Sequence, residues 1–161
     1  HTSELVIERI ARKVIGWAGA RDITGALSYP RQGMRGPVAF VTNSYAGSDG
    51  DIVAAAAQEL KLGPVIGERS WGGVTGIDGR YQLVDGTEVT QPRYWIHFNE
   101  HGWGLENHGV DPDIEVPVDP EAWESDADVQ LDAAIAELLR QLEDAPAKTP
   151  PSFAPPRFAA D

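Results

Sequence analysis

The 161-residue chain contains no cysteine. Thiolate nucleophiles, thiolate metal sites and disulfides are therefore excluded, and a reducing, cytoplasmic setting fits. Cations are also scarce, with 13 Lys and Arg against 25 Asp and Glu and a formal net charge of −12. Nucleic-acid and anionic-membrane surfaces need clustered Lys and Arg, and no such cluster occurs, so neither partner is expected. No apolar run approaches the ~18 residues of a membrane span, and no signal peptide is visible. Internal repeats are missing too. What remains is an acidic globular domain, in which 42% hydrophobic residues and five tryptophans suffice for one core.

Ser3 is the expected N-cap of a helix over "ELVIERIARKVIGW", with Val6, Ile10 and Val14 on one stripe. Glycines, Pro30 and mixed charges between Ala18 and Gly36 predict a long connection. "GPVAFVTN" and "GPVIGE" read as short buried strands, with the helix "DIVAAAAQEL" between them. Asp49 and Asp51 sit in its first turn, where the macrodipole favours acids. Strand, helix and strand in tight succession predict a βαβ unit with parallel strands. "WGGVTGI", "YQLVDGTEVT" and "PRYWIHF" predict a meander around the turn pairs Asp78-Gly79 and Asp85-Gly86. A loop through "HGWGLENHGVDPDIEV" closes in an extended segment. "DADVQLDAAIAELLRQLED" predicts an amphipathic helix with Val129, Leu131, Ile135, Leu138 and Leu142 near one face. The expected organisation is a single α/β domain over 1–144 and a proline-rich tail over 145–161. Because the chain opens on His1, directly in a helix-like segment, it reads as a piece of something longer.

Chemistry concentrates in "FVTNSYAGSDGDIVAAAAQEL", where a strand gives way to a helix at Ser48. A serine there has its hydroxyl beside backbone N–H groups that can hold an oxyanion. The arrangement follows the nucleophile elbow G-x-S-x-G, with Ala46 replacing the first glycine. The ordinary reading is a helix cap, and the motif alone favours it. "GSDGD" lacks the lysine of a phosphate loop and the alternating acids of a calcium loop. A serine nucleophile needs a base, and the histidines are His1, His97, His101 and His108. His97 lies in an alternating segment that suits packing. His101 and His108 bracket a glycine-rich loop with Glu100 and Glu106, but no pair has the helical spacing of a zinc site. No metal or cofactor is expected. Glu106 reads, on its own, as an exposed loop acid.

Taken in order, "NSYAGSDGDIV", "GPVIGERSWGGVTGI", "ENHGVDPDIEVPVDP" and "DVQLDAAI" resemble the catalytic core of tail-specific, or carboxyl-terminal processing, serine peptidases. "AGSDGD" and "RSWGGVTGI" point to the tricorn branch. The resemblance covers about Gly36 to Leu139 and implies the ClpP/crotonase-like αβ spiral. It implies Ser48 as nucleophile, the Asp49 backbone N–H in the oxyanion hole, and Glu106 as the glutamate of a Ser-His-Ser-Glu tetrad. The Ser48-to-Glu106 separation agrees with that pattern. Bacterial processing peptidases use a lysine base where this chain has Gly73, so a Ser-Lys dyad is excluded. The tricorn histidine lies well upstream of the nucleophile, and nothing before Ser48 matches it. The glycine donor of the oxyanion hole is absent as well. The expectation is a nucleophile-bearing part whose base comes from the rest of its own polypeptide, inactive alone. The acid that confers a basic P1 preference falls near Gly19, with Asp22 the nearest carboxylate, so no preference is implied. The resemblance implies peptide substrates and a homo-oligomer, a hexamer. The alternative is a non-catalytic assembly or peptide-binding module of the same fold. An acyl-CoA enzyme of the crotonase type ranks last, because no cation cluster suits the adenine nucleotide.

Overall fold

The computed structural model describes residues 2–20, 22, 24–123 and 127–152. Helix α1 (Ser3–Ile10) leads into the strand pair β1 (Gly16–Ala18) and β2 (Leu27–Tyr29), which are antiparallel. The helix is shorter than the sequence suggests, and the expected long connection contains β2. Val14 is buried, but it lies beyond the end of α1. Ser3 is the first helical residue and Thr2 the cap, with no capping bond from the Thr2 side chain.

The βαβ unit forms as expected. β3 (Phe40–Thr42) and β4 (Val65–Gly67) pair in parallel around α2 (Asp49–Glu59). A further parallel strand, β7 (Ile114–Glu115), joins the other edge of β4, giving the order β3-β4-β7. The alanine run lets α2 pack closely on its surroundings: Ala55 and Ala57 are fully buried, as are Val65 and Ile66 on β4. Leu105, Val110 and Val74 complete the core, with Phe40, Ile52, Ile96 and Phe98 packed against it. The helix ends at a Schellman turn, where the Leu62 N–H reaches the Ala57 carbonyl (2.9 Å) and the Lys61 N–H reaches that of Gln58 (3.0 Å).

β5 (Gly76–Gln82) and β6 (Glu88–Tyr94) form an antiparallel hairpin, a separate two-stranded sheet. Asp85-Gly86 is its turn, as expected, with the Asp85 side chain accepting from the Thr87 N–H. Asp78-Gly79 instead lies within β5 at an irregularity in the pairing. Residues 71–75 and 95–97 are not strand. A short helix α3 (Pro120–Trp123) precedes α4 (Val129–Asp144), whose cap Asp128 accepts from the Leu131 N–H. The buried positions of α4 are Gln130 and Ala134, so its packed face is rotated from the expected stripe and leaves Leu131, Ile135 and Leu139 exposed. In the tail, residues 145–152 are exposed, and the Lys148 N–H bonds to the Arg35 carbonyl. The remaining tail, 153–161, lies outside the described residues. Among the described residues no helix is long and apolar enough to cross a membrane.

Candidate active site

Between β3 and α2 the chain turns at Asn43–Ala46, closed by the Ala46 N–H on the Asn43 carbonyl at 2.9 Å. Ser48 follows at the N-cap position of α2 with φ 54° and ψ −109°. A non-glycine residue in that region is strained by about 1–3 kcal/mol. An ordinary serine cap has neither this backbone nor an idle side chain, and Ser48 makes no capping hydrogen bond. Its side chain is exposed at the wall of a cavity of about 390 Å³. That cavity is lined largely by apolar residues, including Ile7, Ile52, Val74, Ile96 and Phe98. Among the described residues that line it, Glu4 is the single charged one.

Asp49 has a second task besides its place in α2. Its carboxylate accepts from the Thr2 N–H (2.8 Å), the Ser3 N–H (3.1 Å) and the Ser3 hydroxyl (2.6 Å). It therefore caps α1 across the fold. The Ser3 hydroxyl, reinforced by these N–H groups against an opposing push from burial, holds the Asp49 carboxyl below its ordinary range.

The segment after β4 is held by two carboxylates. Asp51, fully buried in the first turn of α2, accepts from the Ser70 hydroxyl (2.5 Å), the Gly72 N–H (2.8 Å) and the Gly73 N–H (3.3 Å). Glu106 Oε2 accepts from the Val74 N–H (2.9 Å) and the Thr75 N–H (2.7 Å). Four consecutive backbone N–H groups thus end on acid side chains. The Thr75 N–H leads the effects that hold Glu106 below the ordinary carboxylate range, over a lesser contrary effect of burial. Val74 joins the two features: its side of the chain lines the Ser48 cavity, and its N–H is bound by Glu106. Trp71 explains Gly47 and Gly73. A Cβ on either glycine would come within 2.6 Å and 2.4 Å of the Trp71 ring, respectively, so the indole occupies the space a side chain at 73 would need.

The histidines stand elsewhere. His97 packs edge-on against Trp103 with ring centroids 4.9 Å apart, and His101 sits near Phe98 at 6.2 Å. The Glu100 and His101 N–H groups both bond to Glu59, and His108 Nε2 pairs with Asp111 at 2.7 Å. Among the described residues, no histidine lines the cavity beside Ser48. His1 lies outside the described residues, and Asp22 is in an exposed turn. No group of three His, Cys, Asp or Glu suited to a metal occurs among the described residues. Sequence reasoning missed the Asp51–Ser70 pair. The available signal was an acid three residues past Ser48, on the side of α2 where the buried alanines Ala54 and Ala55 follow.

The profile of peptidase family S41 matches residues 10–116. This chain belongs to peptidase family S41. Within that family it is 56% identical over 153 residues to tricorn protease homolog 1 of Streptomyces coelicolor, covering 95% of this chain and 14% of that protein. It is 45% identical over 141 residues to the tricorn protease of Thermoplasma acidophilum, covering 87% of this chain and 13% of that protein. The crystal structure of the tricorn protease matches with a TM-score of 0.83 at 44% identity, over 88% of this chain and 14% of that one. The S41 chain described here therefore spans a small fraction of these relatives' length.

Proposed function

We propose that this chain is the nucleophile-bearing part of a tricorn-type, tail-specific serine peptidase that hydrolyses oligopeptides. The observation that carries the reading is the backbone of Ser48, φ 54° and ψ −109°, with its hydroxyl unused as a cap at the wall of an apolar cavity. The strained elbow exposes the nucleophile at a strand-to-helix turn. Ser48 Oγ attacks the scissile carbonyl carbon, and its proton passes to a histidine from another segment of the same polypeptide. The carbonyl oxygen becomes an oxyanion, stabilised by the Asp49 N–H at the positive end of α2. Collapse breaks the C–N bond, and the leaving amine takes the proton from the imidazolium. Water, deprotonated by the same histidine, then attacks the acyl ester and returns Ser48 to its hydroxyl form. In this reading Glu106 supports the histidine through a second serine, while its hydrogen bonds to the Val74 and Thr75 N–H groups keep Val74 at the cavity wall.

The same reading takes the fold as a ClpP/crotonase-like spiral over 1–144 with the tail appended, and the protein as a cytoplasmic hexamer. The strong likeness to the tricorn protease structure supports the fold in this reading. The test is a fluorophosphonate probe applied to the full-length protein. Labelling at Ser48, with peptidase activity abolished in Ser48→Ala, is expected. A fully active Ser48→Ala protein would sink the assignment. Absence of both labelling and peptidase activity would favour a non-catalytic peptide-binding module.

A further inference from the structure

Asp51 is buried at 0% exposure, yet the chemistry above does not use it. An acid so placed survives only when its oxygens are well supplied with donors. Here those donors all come from one short segment, the Ser70 hydroxyl and the Gly72 and Gly73 N–H groups. Ser70 Oγ in turn accepts from the Val110 N–H at 2.8 Å. Asp51 lies three positions after Ser48, the cap of its helix, so the carboxylate fixes the nucleophile's helix to the segment that continues into the cavity wall at Val74. Glu106 holds the next two N–H groups of that segment.

Resting on the reading of Ser48 as nucleophile, we propose that Asp51 is a positioning residue, setting the Gly72–Thr75 segment, which reaches the cavity wall at Val74, at its working distance from Ser48. A second consequence follows for substrate. Because the N–H groups of 72–75 are bound to protein carboxylates, a bound peptide gains no hydrogen bonds from them. Loss of Asp51 therefore impairs the chemical step, with little direct effect on peptide affinity.

The test uses the full-length protein and compares wild type, D51N, S70A and A134G. The last removes a buried methyl from α4, none of whose residues lines the Ser48 cavity, and serves as a destabilised control. Expected for D51N are a rate of Ser48 phosphonylation at least tenfold lower, kcat reduced in step, KM within about threefold, and faster amide exchange over 70–75. S70A, which leaves Asp51 in place with one donor fewer, should show a smaller decrease of the same kind. A134G should lose melting temperature without losing labelling. If D51N does not fold, S70A decides the matter: folded S70A with wild-type labelling overturns the proposal. So does a D51N protein that labels normally, or an A134G protein impaired as much as S70A at equal melting temperature. Wild-type protein that fails to label overturns the nucleophile assignment itself, and this proposal with it.

Discussion

The first turn of α2 and the β5–β6 hairpin border the same cavity and are built on opposite plans. Around Ser48, small residues bring backbones together, and three acids, Asp49, Asp51 and Glu106, fasten separate segments through their carboxylates. In the hairpin two strands pair only with each other, and Ile77, Tyr81, Leu83 and Val84 are exposed. A two-stranded hairpin is at best marginally stable by itself. One region ties its segments together through its own contacts, and the other leaves large apolar side chains open. The division says where a substitution should hurt, and by how much.

The largest effect should separate two glycines that share a backbone conformation. Gly72 (φ +89°) and Gly86 (φ +83°) both lie in the left-handed region, so alanine strains each by about 1 kcal/mol. Their surroundings differ. A Cβ on Gly72 would fall 2.5 Å from the Gly109 nitrogen and 2.6 Å from the His108 carbonyl carbon, whereas one on Gly86 meets nothing within 4 Å. Gly72→Ala should therefore cost about 3–5 kcal/mol in denaturant unfolding and abolish labelling of Ser48, and Gly86→Ala about 1 kcal/mol. Equal costs for the two would break the comparison.

The same contrast explains what was legible in the sequence. The βαβ unit could be read because its signals are local: two short apolar runs and an alanine helix between them. The turn at Asp85-Gly86 is local too. The cap of α1 was not legible, since Asp49 lies 46 residues from Ser3 and nothing in "HTSEL" marks that distant partner. "WGGVTGI" alternates like a strand, but the N–H groups of residues 72–75 go to side-chain carboxylates instead of a neighbouring strand. Asp51 sat where the helix dipole already accounted for an acid, so its burial had no separate signature. On α4 an apolar stripe was visible, but Gln130 takes the buried place by donating to the Val116 carbonyl at 3.0 Å. Ser48 itself reads from its own motif as a cap, because a backbone angle is not written in residue type, and the family resemblance alone turns it into a nucleophile.

A smaller effect concerns acid pH. Asp49 and Glu106 have lowered folded-state pKa values, so the unfolded chain binds protons more readily at these sites. Their stabilisation is fully present above the ordinary carboxylate range near pH ~4 and is lost as pH falls through the lowered folded values. Each contributes about 1 kcal/mol after solvent screening is allowed for. Asp49→Asn with Glu106→Gln should flatten the acid limb of a stability-versus-pH curve. Glu137 provides the contrast. Hydrogen bonds from Arg140 and Gln141 draw its carboxyl down to about 2, yet those partners lie on the same helix and Arg140 is exposed, so the cluster fastens no separate segment. Glu137→Gln should alter the acid limb less than Glu106→Gln, and a larger change would mean that the site's carboxylates are not its fasteners.

The smallest effect tests whether the open surface is covered in the whole protein. Leu83 is 55% exposed at the hairpin and Leu139 59% exposed on α4. Replacing either by serine in this chain alone should change stability by no more than about 0.5 kcal/mol. Ile66→Val removes just one methylene, yet from a fully buried place on β4, and should cost about 1 kcal/mol. In the full-length protein the order should reverse at any leucine that acquires a neighbour, because a polar group is then buried against apolar surface. Full-length measurements that leave Leu83→Ser and Leu139→Ser neutral would make these faces solvent surfaces in the assembled protein as well. A cost of about 2 kcal/mol at one leucine and none at the other would show which of the two faces carries the contact.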